Sequence, residues 1–201
     1  MSWSTFRGER ELPLNNALIS RISSLVEAAC KDKENAYGFG IWDHHVVPML
    51  SVAHDLAVRV GADREIVAIS VLLHDYAGIV DQKQRDSHHI HGAVEAERIL
   101  RAEGYPEKKI EVVKACIRSH RGSVPSAKDT KEQECVADAD AIVHMRTLPA
   151  LFFVAYRKLD LDIDAGKEWV TKKIERDWQK LSDVGKRAAR GLYESFRVLL
   201  K

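Results

Sequence analysis

Residues 66–78 read IVAISVLLHDYAG. From Ile66 to Leu73 every residue but Ser70 is apolar, so a helix here is hydrophobic on nearly every side and belongs at the centre of a fold. Asp63 stands three residues upstream, where an N-cap is wanted. Downstream the helix runs into His74 and Asp75, and residues 77–86, which mix Gly, Asp, Gln and Lys, read as a loop. Outward from this helix the period stays helical. Residues 15–31 place Leu18, Ile22, Leu25, Val26 and Ala29 on one stripe. After a glycine-bearing segment at 36–41, Asp43 can cap a helix that ends at Gly61, with Pro48 tolerable in its first turn. Val94, Ala96, Ile99 and Leu100 mark another helix that stops at Gly104. Pro106 suits a helix start, after which Ile110, Val113, Ile117 and His120 share one face. Residues 121–130 form a second loop. Residues 132–159 are helical with a break near Pro149, and helices at 165–181 and 186–200 close the chain. No strand-period run exceeds a few residues, and neither repeats nor low-complexity tracts occur. The expectation is an all-α helical bundle of about seven to nine helices forming one domain over residues 1–201.

Composition sets limits on function. The 201 residues are 45% apolar and 30% charged, with a formal net charge of +1. That balance suits a soluble globular protein and provides no global field for long nucleic acid or an anionic membrane. The apolar runs at 66–73 and 148–155 are far too short to span a bilayer. The first 16 residues, MSWSTFRGERELPLNN, lack the apolar core of a secretion signal. Cys30, Cys116 and Cys135 are odd in number and without metal-type spacing, so they read as reduced thiols in a cytoplasmic protein. Nine histidines are the notable feature, most of them between His44 and His91, because neutral imidazole is the commonest metal ligand.

The pair His74-Asp75 offers one nitrogen and one oxygen to a divalent ion at the end of a buried helix. Neighbouring helical residues point about 100° apart, so both reach one ion only from a helix terminus or a distorted turn. Taken alone, the dipeptide reads more readily as an ordinary helix end with His near the dipole's negative pole. Two further strings add to it. Upstream, WDHHVVPMLSVAHDLA sets His45 on the side of Met49, Val52 and Leu56. Downstream, CVADADAIVHM sets Asp140 beside Ile142 and Val143, where a carboxylate is costly without a compensating cation.

These strings resemble the HD superfamily of metal-dependent phosphohydrolases, whose pattern is H…HD…D on five core helices. The likeness extends over about residues 38–148, and residues 149–201 then complete the pocket. It implies that His45, His74, Asp75 and Asp140 hold a metal, with Asp75 also the catalytic acceptor of a water proton. His44 rivals His45, which is preferred for the apolar residues that follow it at helical spacing. Asp138 rivals Asp140, which is preferred because HMRTL resembles the segment after that Asp in HD-type guanosine tetraphosphate hydrolases. HHIHGAVEAERIL resembles the part of two-metal members that begins with a ligand, which points to His88, with His89 and His91 as rivals. His120 stands where such members supply another. Tyr76 and Ala77 depart from the small residue and Gly-Lys common after the HD pair, and Ala141 from the frequent Arg or Lys. Phosphate-binding candidates near the site are Lys83, Arg121, Arg146 and Lys158, along with Arg85 and Arg118. Trp42 stands close enough to wall a pocket.

The resemblance implies hydrolysis of a phosphate ester or anhydride of a small molecule, nucleotides included, with one Mn²⁺, Fe²⁺, Ni²⁺ or Co²⁺ ion, or two if His88 and His120 take part. It leaves room for a homo-oligomer. The alternatives are an HD-type di-iron oxygenase and a non-catalytic, metal-stabilised ligand-binding module.

Overall fold

The computed structural model describes residues 17–35, 37–38, 40–123 and 126–200. The apolar-poor segment at 1–16, with the expected start of the first helix at Asn15, lies outside the described residues, as do parts of the 36–41 and 121–130 segments. Every regular element among the described residues is helical.

In chain order the α-helices are α1 (Ala17–Lys31), α2 (Val47–Val60), α3 (Arg64–Leu73), α4 (Tyr76–Val80), α5 (His88–Ala102), α6 (Glu107–Ser119), α7 (Lys131–Arg146), α8 (Leu148–Phe153), α9 (Ile163–Lys180) and α10 (Asp183–Leu199). Eight of them have ten residues or more. None is long and apolar enough to cross a membrane.

The centre is α7, which packs on α2, α3, α6, α8, α9 and α10. Its residues Cys135–Val143 are all buried, so it has no solvent face and carries two aspartates inside the core. A capping box at Thr130 and Gln133 fixes its start. The apolar helix at the heart of the sequence is α3, capped by Asp63, whose carboxylate accepts from the N–H groups of Glu65 and Ile66. Gly61 ends α2 at φ 69°, a conformation that costs glycine little.

Two segments differ from expectation. Residues 77–86 are not a loop, because α4 is followed by a 3₁₀ turn over Gln82–Ser87. Ala77, Gly78 and Ile79 are buried, and Asp81 caps the turn through the N–H of Lys83. The polar composition there is the outer face of a docked segment. Before α2 the chain makes a π-helical turn over Trp42–Val46, so Pro48 falls in the first turn of α2. The wide turn keeps His45 buried while His44 is exposed. Cys30, Cys116 and Cys135 are buried free thiols.

Candidate metal centre

Six imidazoles and carboxylates meet where the ends of α3 and α6, which pack on α7, face the start of α5, which packs on α6. His45 comes from the π turn. His74 follows the last residue of α3, Asp75 precedes α4, His88 opens α5 and His120 follows α6. Close helix approach brings them together. A Cβ on Gly92 of α5 would lie 3.3 Å from the His74 carbonyl oxygen, so glycine lets α5 settle against the end of α3.

His45 Nε2 lies 3.1 Å from His74 Nε2 and 3.5 Å from Asp140 Oδ1. His88 Nε2 lies 3.1 Å from His120 Nε2. Asp75 stands between these pairs. Its Oδ2 is 3.3 Å from His74 Nε2 and 3.8 Å from His45 Nε2, whereas its Oδ1 is 3.0 Å from His88 Nε2 and 3.9 Å from His120 Nε2.

The second ring nitrogens show what the cluster suits. Nδ1 of His74, His88 and His120 lies 2.7, 2.6 and 2.6 Å from the carbonyl oxygens of Val71, Arg85 and Ile117. Each therefore donates its Nδ1 proton outward, and a neutral ring then has a bare lone pair at Nε2. The facing His88 and His120 nitrogens cannot bond one another in that state and need a shared cation. Two donors about 2.1 Å from one ion and at right angles stand about 3.0 Å apart, close to the spacing here. Without an ion the cluster keeps a proton instead. Burial opposes a charge on His74, but Asp75 outweighs it and raises the ring to about 9. Burial, then His144 and His74, push His45 down to about 3.

A seventh group, His144, has no counterpart in the sequence reading. One helical turn beyond Asp140, its Nε2 lies 3.4 Å from Asp140 Oδ1, its ring stacks on His45, and His45, Asp140 and His144 form a further set able to share an ion. Asp177 Oδ2 and Lys173 Nζ each lie 3.0 Å from its Nδ1. Lys180 Nζ donates to Asp140 Oδ2 at 2.5 Å and to the His120 carbonyl at 2.9 Å. Its side chain is 7% exposed. Burial disfavours its charge, but Asp140 and then Asp177 hold its pKa above the usual lysine value. The signal for these α9 residues was only their spacing: Lys173, Asp177 and Lys180 share one helical face.

The rival residues go elsewhere. Asp138 accepts from the N–H and hydroxyl of Ser182, so it anchors the start of α10 and turns away from the cluster. A Cβ on Gly185 would come within 2.5 Å of its carboxylate. His91 is exposed, and His89 stands outside the metal-ligating sets.

The cluster forms the floor of a cavity of about 860 Å³. Arg121 and Arg146 line it, as does Arg85, whereas Lys83, Arg118 and Lys158 do not. Lys83 and Arg118 are exposed on outward faces, and the exposed Lys158 runs beside Gly38. Trp42 is packed in the core and Trp169 lines the cavity instead. Tyr37 faces it too. Burial, then the Asp75 charge, push its phenol well above the usual value, so it remains a hydrogen-bond donor.

The model of the HD domain family matches residues 42–145, a span that contains all six converging residues. A solved structure described as a predicted HD superfamily hydrolase from an uncultured Thermotogales bacterium is similar, with a TM-score of 0.54 and 21% identity over 87% of this chain and 91% of that one. That degree of likeness is one of fold. No curated protein matches the chain.

Proposed function

Because this chain belongs to the HD domain family, we propose that it is a metal-dependent phosphohydrolase acting on a phosphate ester or anhydride of a small molecule. The observation that carries this reading is the placement of Asp75, with one oxygen toward His45 and His74 and the other toward His88 and His120. His45, His74, Asp75 and Asp140 would hold one divalent ion, and Asp75, His88 and His120 would hold a second. Mixed nitrogen and oxygen ligation favours Mn²⁺, Fe²⁺, Co²⁺ or Ni²⁺ over Mg²⁺.

When bound, such ions supply positive charge that polarises a phosphoryl oxygen and acidifies water. The chain does the rest. Asp75 would accept the water's proton on a carboxylate lone pair that ligation leaves free. Arg121 and Arg146 orient the phosphate from the cavity wall, and the Tyr37 hydroxyl donates toward it. Lys180 occupies Asp140 Oδ2 and leaves Oδ1 directed at His45 and His144.

The test is phosphate release from nucleotides, sugar phosphates and simple esters by Mn²⁺-loaded protein, beside Asp75→Asn. The variant should lose about 10²-fold or more in turnover at every metal concentration. Recovery of wild-type turnover at high Mn²⁺ would reduce Asp75 to a ligand. A second reading is favoured by the six-residue set itself, since di-iron oxygenases of this family use such a set. Two irons per chain, an air-dependent visible spectrum and no phosphate release would establish it instead.

A further inference from the structure

The cavity extends well past the cluster along α9. Trp169, Lys173, Arg176 and Asp177 line it, and Lys180 continues the same helical face onto Asp140. At 1.5 Å per residue the 11 steps from Lys180 to Trp169 span about 16 Å, so this face is a ruler leading away from the cluster.

Its chemistry changes along that length. At the inner end the charges are matched: Lys180 lies against Asp140, and Lys173 against Asp177. Between Lys180 and Lys173 on the helix stands Arg176, facing the cavity with Arg146 from the end of α7. Neither forms an ion pair with a described residue, and both are available to an anion. At the outer end Trp169 is joined by Leu151, Phe153 and Leu159. Phe153 is 48% exposed within this wall, a large apolar surface left for something to cover. This bay has little with which to read a nucleobase. The Thr147 hydroxyl donates to the Val143 carbonyl, and the bay's backbone lies in α8 and the π turn Val154–Lys158, so of the four described residues Leu151, Phe153, Leu159 and Trp169 only Trp169 carries a side-chain donor, its indole N–H. Recognition there is by apolar area.

We propose that the outer bay holds the organic group of the substrate, and that this group is apolar: the substrate is an alkyl or aryl phosphate whose head reaches the cluster past Arg146 and Arg176 and whose tail packs on Trp169 and Phe153. The assignment of head and tail rests on the phosphohydrolase reading, but the bay can be tested without turnover.

The probes are methyl-, butyl- and octylphosphonate and a nucleoside monophosphate analogue with a non-hydrolysable phosphonate. Their binding to Mn²⁺-loaded full-length protein is measured by calorimetry. Affinity should rise two- to fourfold per methylene, in line with the hydrophobic gain of a partly buried CH₂. Octylphosphonate should bind more tightly than the nucleotide analogue. Trp169→Ala, and independently the less buried Phe153→Ser, should flatten the series while leaving methylphosphonate affinity within about twofold. Equal affinity for methyl- and octylphosphonate, tighter binding of the nucleotide analogue, or an equal loss across the series in both variants would overturn the proposal. A chain-length gain in protein that hydrolyses no phosphate would leave the bay standing and remove the hydrolase reading. Phosphate release from small esters with no gain on lengthening would do the reverse.

Discussion

Lys180 is a charge with almost no access to water, held between Asp140 and Asp177. Removing one partner from such a group leaves the others buried and uncompensated, at a cost of about 3–5 kcal/mol. Lys180→Met keeps most of the volume and removes the charge. It should lower the stability of metal-free protein by about 3 kcal/mol in urea unfolding. The loss should shrink once Mn²⁺ is added, because an ion at Asp140 then balances the carboxylate. An equal loss with and without metal would mean that Lys180 serves packing alone. Residues of this kind are hard to read in a sequence. His74 and Asp75 were legible because they end an apolar helix, and Asp140 because a carboxylate beside Ile142 and Val143 demands a cation. His144 carries no such contradiction, since a histidine in the last turn of a helix is ordinary. Its role depends on Asp177 and Lys173, which reach it from a helix about thirty residues on.

The element that presents the HD pair is α3, and its start is fixed by a single side chain. Asp63 accepts two backbone N–H groups and lies 3.2 Å from Lys109. Burial acts against its charge, but the Ile66 N–H and Lys109 outweigh it and hold its carboxyl below the usual range. A depressed carboxylate contributes stability above its unfolded pKa, and that contribution is lost as pH falls through the folded value. Asp63→Ala should therefore cost about 1 kcal/mol at pH 7, and the gap from wild type should close as the pH drops below about 4. A gap that persists unchanged at pH 3 would contradict this account of the cap. The same element scale shows where patterning gave out. The long helices follow apolar stripes, and Gly61 and Gly104 end two of them as expected. The π turn before α2 and the pieces between Tyr76 and Ser87 have no periodic signature. They are shaped by docking, with Gly78 set beneath Tyr37 and His88.

At the scale of the molecule, the ligands are spread from His45 to Asp140 and converge only when four other segments come together beside α7. The family motif made the converging set legible, but its outer boundary was not. The cavity's far wall comes from α8, the π turn after it and α9, beyond the span matched by the family model. Those segments carry no motif, so their cavity-facing residues emerge only when the chain is folded. Every role assigned to the ligand residues depends on the cluster holding metal. Its most direct test is the number of metal equivalents retained per chain after Mn²⁺ loading and gel filtration, by elemental analysis, in wild type and His120→Ala. The account predicts about two equivalents for wild type and about one for the variant. Folded wild-type protein that retains less than one equivalent, or a variant that retains as much metal as wild type, would contradict it.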